Sequence, residues 1–221
     1  MVIQSIYRTM NDDASRIPDG INRKLIFRHS FRNKLHGVKN HDEVLLNQEG
    51  ERAAFLFGKG ISATIGQMHS SYIPRCVQTL EYINMGKNQH IPIMVSEDIL
   101  GNGFTMNKKI ADQSFKSVGS LKKVVQLLMN DIPVDGFYPI RHTTKTMLDY
   151  IFSTGNEVDK LDLYCTHDFH IALVISQIFD LRGLDEIISQ WPNMLEGFFV
   201  WGTREDFRLL WRGKSVHIVK R

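Results

Sequence analysis

Apolar residues along this chain gather into short runs that stop abruptly at charged or polar positions, the pattern of buried strands that deliver functional side chains to a sheet edge. Leu25-Ile26-Phe27 ends in Arg28-His29, and Leu161-Asp-Leu-Tyr-Cys165 ends in Thr166-His167-Asp168. Ala63 to Met68 and Ile91 to Val95 are two further strand candidates, the first followed by His69-Ser70-Ser71, read as a polar turn. Between these runs the period changes. Asn47 is placed to cap a helix through Glu51 to Phe57 that stops near Ile61, and Pro74 opens a second helix. Residues 106 to 153 repeat apolar positions at helical spacing, and Ile171 to Ile178 reads as a buried helix. Phe198 to Trp201, Phe207 to Trp211 and Ser215 to Val219 are β-rich runs that predict a closing meander. Gly101-Asn102-Gly103 reads as a flexible loop.

The alternation of strand, polar edge and helix predicts a three-layer α/β/α sandwich with a largely parallel central sheet and a site at the carboxyl ends of the strands. Residues 1–23 are polar and unpatterned, which predicts a loose N-terminal arm. A single domain is then expected over 24–221, with a helical segment covering the site at about 98–160.

Composition narrows the function. The 221 residues are 43% hydrophobic, enough for one sizeable core. The net charge of +3 does not call for a nucleic-acid partner. No run approaches the roughly 20 apolar residues that span a bilayer, and the start lacks a signal pattern, so the expectation is no membrane partner and a cytoplasmic location. Two cysteines, Cys76 and Cys165, make neither a disulfide framework nor a metal cluster and are expected to stay reduced; no metal or cofactor is expected. The oligomeric state is not readable from the sequence.

Three predicted strand ends collect Arg28-His29-Ser-Phe-Arg32, Ser70-Ser-Tyr-Ile-Pro-Arg75 and Thr166-His167-Asp168. Guanidinium groups match phosphoryl oxygens with planar forks of donors. A neutral imidazole with one free nitrogen is a competent nucleophile when its other nitrogen is held. His29, flanked by Arg28 and Arg32, suits that role, and the same arginines disfavour its charged form. His167 is then a donor to the phosphoryl oxygens.

Leu25-Ile-Phe-Arg28-His29-Ser-Phe-Arg32 resembles the Arg-His-x-x-Arg signature of the histidine phosphatase superfamily. Leu46 to Ala53, Ser70 to Thr79 and Tyr164 to Asp168 resemble three further motifs of that family, in the same order. The resemblance implies a phosphoglycerate mutase-like fold and phosphomonoester hydrolysis through a phosphohistidine on His29. It implies a phosphate pocket of Arg28, Arg32, Arg75 and His167, a small phosphorylated substrate and no cofactor. For the proton donor it leaves two candidates: Glu97, in a segment like that of the mutase branch, and Asp168, like the acid of the acid-phosphatase branch. Ser30 stands where many members have Gly, Tyr72 where Pro is common, and the segment after Arg32 departs from the mutase pattern, which disfavours a phosphomutase. The alternative from another class is a phospho-ligand binding or regulatory module with little turnover.

Overall fold

The computed structural model describes residues 10–33, 41–96 and 98–219. A seven-stranded sheet runs through the centre. In chain order its strands are β1 (Arg23–Arg28), β2 (Thr64–Ser71), β3 (Ile93–Ser96), β4 (Lys160–Thr166), β5 (Gly197–Gly202), β6 (Asp206–Trp211) and β7 (Lys214–Val219). Their spatial order is β3-β2-β4-β1-β5-β6-β7. The β2–β3, β2–β4 and β1–β4 pairs are parallel, whereas β5 to β7 add the expected antiparallel meander.

Alternate side chains of each central strand feed two separate apolar cores, because successive strand residues point to opposite faces. Leu25, Phe27, Leu163 and Cys165 face one core together with residues of helices α1 (Gln48–Gly60) and α2 (Pro74–Lys87). Ile26, Tyr164, Phe198 and Val200 face the other. That second core is closed by α3 (Lys108–Val118), α4 (Leu121–Met129), α5 (Ile140–Ser153), α6 (Asp168–Phe179) and α7 (Leu184–Ser189). The result is the three-layer arrangement, with α3 to α5 packed on the face of the second core. Among the described residues no helix is long and apolar enough to cross a membrane.

Three local expectations need correction. His69-Ser70-Ser71 is not a turn but the end of β2, with all three side chains buried. Strand β2 lies between β3 and β4, so its backbone is paired on both edges, and the polar side chains find partners. His69 meets Tyr150 Oη at 2.8 Å, and Ser70 Oγ donates to the Ser71 carbonyl at 2.8 Å. The core does not begin at Lys24, since Met10 is 4% and Ile17 5% exposed within the first core. Residues 10–14 are helical, which turns Met10 inward, and the bend that follows brings in Ile17. Gly101-Asn102-Gly103 is not an open loop: Asp98–Asn102 forms a helical turn that buries Leu100 completely. A Cβ at Gly101 would lie 2.6 Å from the Tyr72 ring, so the turn needs glycine there to pack.

Candidate active site

The carboxyl ends of β1, β2 and β4 converge on one edge. His29 leaves β1 still tied to β4, its backbone N–H donating to the Thr166 carbonyl at 3.0 Å, and is 2% exposed. Its Nδ1 lies 2.7 Å from the Ser30 carbonyl oxygen. A carbonyl only accepts, so Nδ1 carries the proton and Nε2 keeps its lone pair. Arg75 Nε–H donates to that Nε2 at 3.1 Å, which requires the same tautomer. Burial first, then the neighbouring His167, Arg75 and Arg28, holds His29 well below the usual imidazole value of 6.5.

Arg75, in the first turn of α2 and 7% exposed, links the whole edge. Besides His29 it donates through Nη1 to the His41 carbonyl at 2.9 Å and through Nη2 to His167 Nδ1 at 3.4 Å. With Nδ1 accepting, the neutral His167 ring carries its proton on Nε2, 3.1 Å from Ser71 Oγ. His167 caps the start of α6, and its ring meets that of His29 edge-on at 5.5 Å between centroids.

Arg28 pairs with Asp168 at 2.8 Å and donates to the Pro192 carbonyl at 2.8 Å. Arg32 donates to the Asn33 carbonyl at 2.9 Å. The Nε–H groups of Arg28 and Arg32 are buried without a protein partner. Burial, with repulsion among the three guanidiniums, lowers the pKa of both Arg28 and Arg32. Asp168 also accepts from Phe169 N–H at 2.8 Å and Trp191 Nε1–H at 3.2 Å, so both its oxygens are engaged. Glu97 lies outside the described residues; the strand before it ends at Ser96, in register with Ser71.

The supports of His29 escaped the sequence reading. Ser30 N–H donates to Thr79 Oγ1 at 3.0 Å, and Thr79 Oγ1 donates to the Arg75 carbonyl at 2.7 Å, so one hydroxyl couples the histidine loop to the arginine helix. Ser30 Oγ donates to the Gly50 carbonyl at 2.7 Å. A Cβ on Gly50 would sit 2.0 Å from the Phe31 carbonyl oxygen, so only glycine lets α1 approach this loop. The spacing of Thr79 four residues after Arg75 is the one signal that places both on the same helix face. Phe137 is a core residue, and Tyr150 meets His69 on β2. Arg141 and His142, the chain's other Arg-His pair, are exposed on α5.

No family model matches the sequence, and no curated protein matches it either. Solved structures do. A protein described as mycobacterial hydrolase 1 superimposes with a TM-score of 0.59 at 12% identity, over 86% of this chain and 98% of that one. Phosphoglycerate mutase from Bacillus anthracis str. Sterne gives a TM-score of 0.56 at 12% identity, over 91% of this chain and 93% of its own. The chain has a phosphoglycerate mutase-like fold. A mycobacterial glucosyl-3-phosphoglycerate phosphatase shares this fold at a TM-score of 0.54 and 13% identity, over 87% of this chain and 99% of that one. In this phosphoglycerate mutase-like fold the His29 edge is the carboxyl end of the parallel strands, where open α/β sheets bind ligands.

Proposed function

We propose that this chain is a histidine phosphatase that hydrolyses small phosphomonoesters through a phosphohistidine on His29. The observation that carries the reading is the pinned tautomer of His29, whose Nε2 lone pair points at Arg75 inside a cluster of three guanidiniums and a second histidine. Positive charge gathered at this density is costly unless an anion offsets it, and a phosphoryl group matches both the charge and the fork geometry.

In the proposed cycle Arg28, Arg32, Arg75 and His167 hold the phosphoryl oxygens. His29 Nε2 attacks phosphorus in line, forming the P–N bond as the ester P–O bond breaks. A carboxylic acid gives its proton to the departing oxygen. The resulting carboxylate then takes a proton from water, whose oxygen attacks phosphorus and releases inorganic phosphate and neutral His29. The arginines stabilise the charge at both steps. No metal or organic cofactor takes part. Asp168, committed to Arg28, Trp191 and a backbone N–H, suits the task of holding Arg28, which leaves the acid role to Glu97.

The test is hydrolysis of para-nitrophenyl phosphate without added metal, comparing wild type with His29→Ala. Turnover that vanishes in the variant supports the reading, and equal rates sink it. Acid-quenched wild type should also carry an acid-labile phosphoryl group on His29.

A further inference from the structure

Arg28 and Asp168 both face residues 190–196, the loop between α7 and β5. Arg28 Nη1 donates to the Pro192 carbonyl at 2.8 Å, and Trp191 Nε1–H donates at 3.2 Å to Asp168 Oδ2, the oxygen that pairs with Arg28 Nη2 at 2.8 Å. The main chain closes the contact. Arg28 N–H donates to the Glu196 carbonyl at 2.9 Å, and Leu195 N–H donates to the Arg28 carbonyl at 3.1 Å. The loop therefore borders Arg28 at its backbone and at its guanidinium.

One side chain from another part of the fold ties this loop together. Arg212, in the two-residue turn between β6 and β7, forks onto Glu196 with Nε 2.7 Å from Oε1 and Nη2 2.8 Å from Oε2. Nη2 also donates to the Trp191 carbonyl at 3.1 Å, and Nη1 to the Ser189 carbonyl at 2.8 Å. Glu196, only 5% exposed, accepts at Oε2 from Asn193 N–H at 2.7 Å and from Asn193 Nδ2 at 2.9 Å. Both ends of the loop thus converge on one ion pair, and a buried carboxylate is satisfied by it.

Arginine is not the residue such a turn favours. Arg212 and Gly213 both have positive φ, 46° and 76°, and the first position of a tight hairpin turn of this kind prefers Asn, Asp or Gly. Leu195, inside the loop, is left-handed too, with φ 59°. Backbone held in this region persists where the surroundings over-determine it, and here the guanidinium contacts do so at both places.

We propose that Arg212 is a positioning residue for the phosphate pocket: through Glu196 it fixes the 190–196 loop, which aims the Arg28 guanidinium and orients Asp168. Arg212 acts at one remove from the reacting atoms, so its effect falls on phosphoryl binding more than on the chemical step. The binding effect rests on the phosphatase reading of the pocket; the hold on the loop does not.

Arg212→Asn tests this, because asparagine suits the turn while removing the fork. Hydrogen exchange is followed by mass spectrometry over residues 189–197 and over the β6–β7 turn, inorganic phosphate affinity by calorimetry, and para-nitrophenyl phosphate turnover by steady-state kinetics. Amides of the loop should exchange about tenfold faster or more, with the β6–β7 turn still protected. Phosphate affinity should fall about tenfold and KM rise in parallel, with kcat within about threefold of wild type. Glu196→Gln keeps the shape of the side chain, should move all three readouts in the same direction, and decides the matter where circular dichroism shows Arg212→Asn misfolded. In an Asp168→Asn background the affinity loss from Arg212→Asn should shrink to about threefold or less, since the two act on the same guanidinium. Unchanged exchange over the loop overturns the proposal. A loosened loop with unchanged phosphate affinity, or full additivity with Asp168→Asn, overturns the positioning role and leaves Arg212 as a clamp on the loop alone. A wild type that neither binds phosphate nor turns over would mark the failure of the phosphatase reading, while the exchange measurement still decides whether Arg212 holds the loop.

Discussion

Arg28 and Asp168, the last residue of β1 and the first of α6, face each other across the sheet edge in an ion pair of 2.8 Å. That pairing separates two carboxylates that the sequence leaves equivalent. A group whose work is to hold Arg28 affects phosphate binding, whereas a proton donor affects turnover. Asp168→Asn is therefore expected to weaken inorganic phosphate binding about tenfold, from the loss of one charge-assisted pair, with a smaller fall in kcat. Glu97→Gln should lower kcat on alkyl phosphates by about 100-fold or more, the usual contribution of a positioned acid. With para-nitrophenyl phosphate, whose leaving group needs no acid, it should give a burst followed by slow turnover. A normal burst and steady state in Glu97→Gln, with their loss in Asp168→Asn, would reverse the assignment.

Arg75 is expected to resist conservative replacement. Its Nε reaches His29, Nη2 reaches His167 and Nη1 reaches His41, three directions that a single ammonium cannot serve. Arg75→Lys should lower kcat/KM about 100-fold or more, two hydrogen bonds to a charged group being worth about 3 kcal/mol together at the low end. Steady-state kinetics, with circular dichroism to check folding, decides it. A variant within fivefold of wild type would mean that Arg75 acts only as a diffuse charge.

Much of this arrangement is legible in the sequence because buried parallel strands read as mainly apolar runs. Leu25-Ile26-Phe27 and Leu161 to Cys165 end where charged residues begin, and that break marks the edge carrying His29 and His167. What escapes is polar residues whose neighbours come from far along the chain. His69, Ser70 and Ser71 read as a turn because their alternation is polar, yet flanking strands and Tyr150 and His167 satisfy them inside the sheet. Met10 and Ile17 stand alone among polar residues and gain a core only when β5 and β6 fold against them, as the contact of Met10 Sδ with Gly197 N–H at 3.3 Å shows. Thr79 and Ser30 each contribute one hydroxyl, for which no periodicity exists.

The close approach of α1 to the histidine loop makes Gly50 a sensitive position. A methyl group there would meet backbone rather than a movable side chain, at 2.0 Å from the Phe31 carbonyl oxygen. Gly50→Ala is expected to destabilise the fold by about 1–3 kcal/mol, the usual cost of overpacking, despite the better helix propensity of alanine. It should also displace Ser30, whose Oγ holds the Gly50 carbonyl, so turnover should fall even where the protein stays folded. Urea denaturation and kinetics on the same preparation check both; greater stability than wild type would refute the contact.

Stability should fall on mild acidification, for a reason that can be assigned to histidines. His29, His69 and His170 are all buried and all depressed, burial being the leading cause in each, with His69 lowered to about 4. His69 is held between Tyr150 Oη at 2.8 Å and Gln67 Oε1 at 3.0 Å and stacks on Tyr164 with centroids 4.7 Å apart. Below an unfolded value of 6.5 the unfolded chain binds protons that the folded one refuses, so the folded state loses ground as pH falls towards the folded values. Above that value the stability is fully present. Each histidine costs about 1.4 kcal/mol per pH unit in that window, or about 4 for the three together. Urea midpoints measured from about pH 7.5 down to about pH 5 should show this slope, before most carboxylates begin to titrate. His69→Gln should reduce it by one proton's worth while leaving the other two. A stability that stays level or rises across this window would mean that these imidazoles are charged in the folded protein, and with that the neutral, nucleophilic His29 would be lost as well.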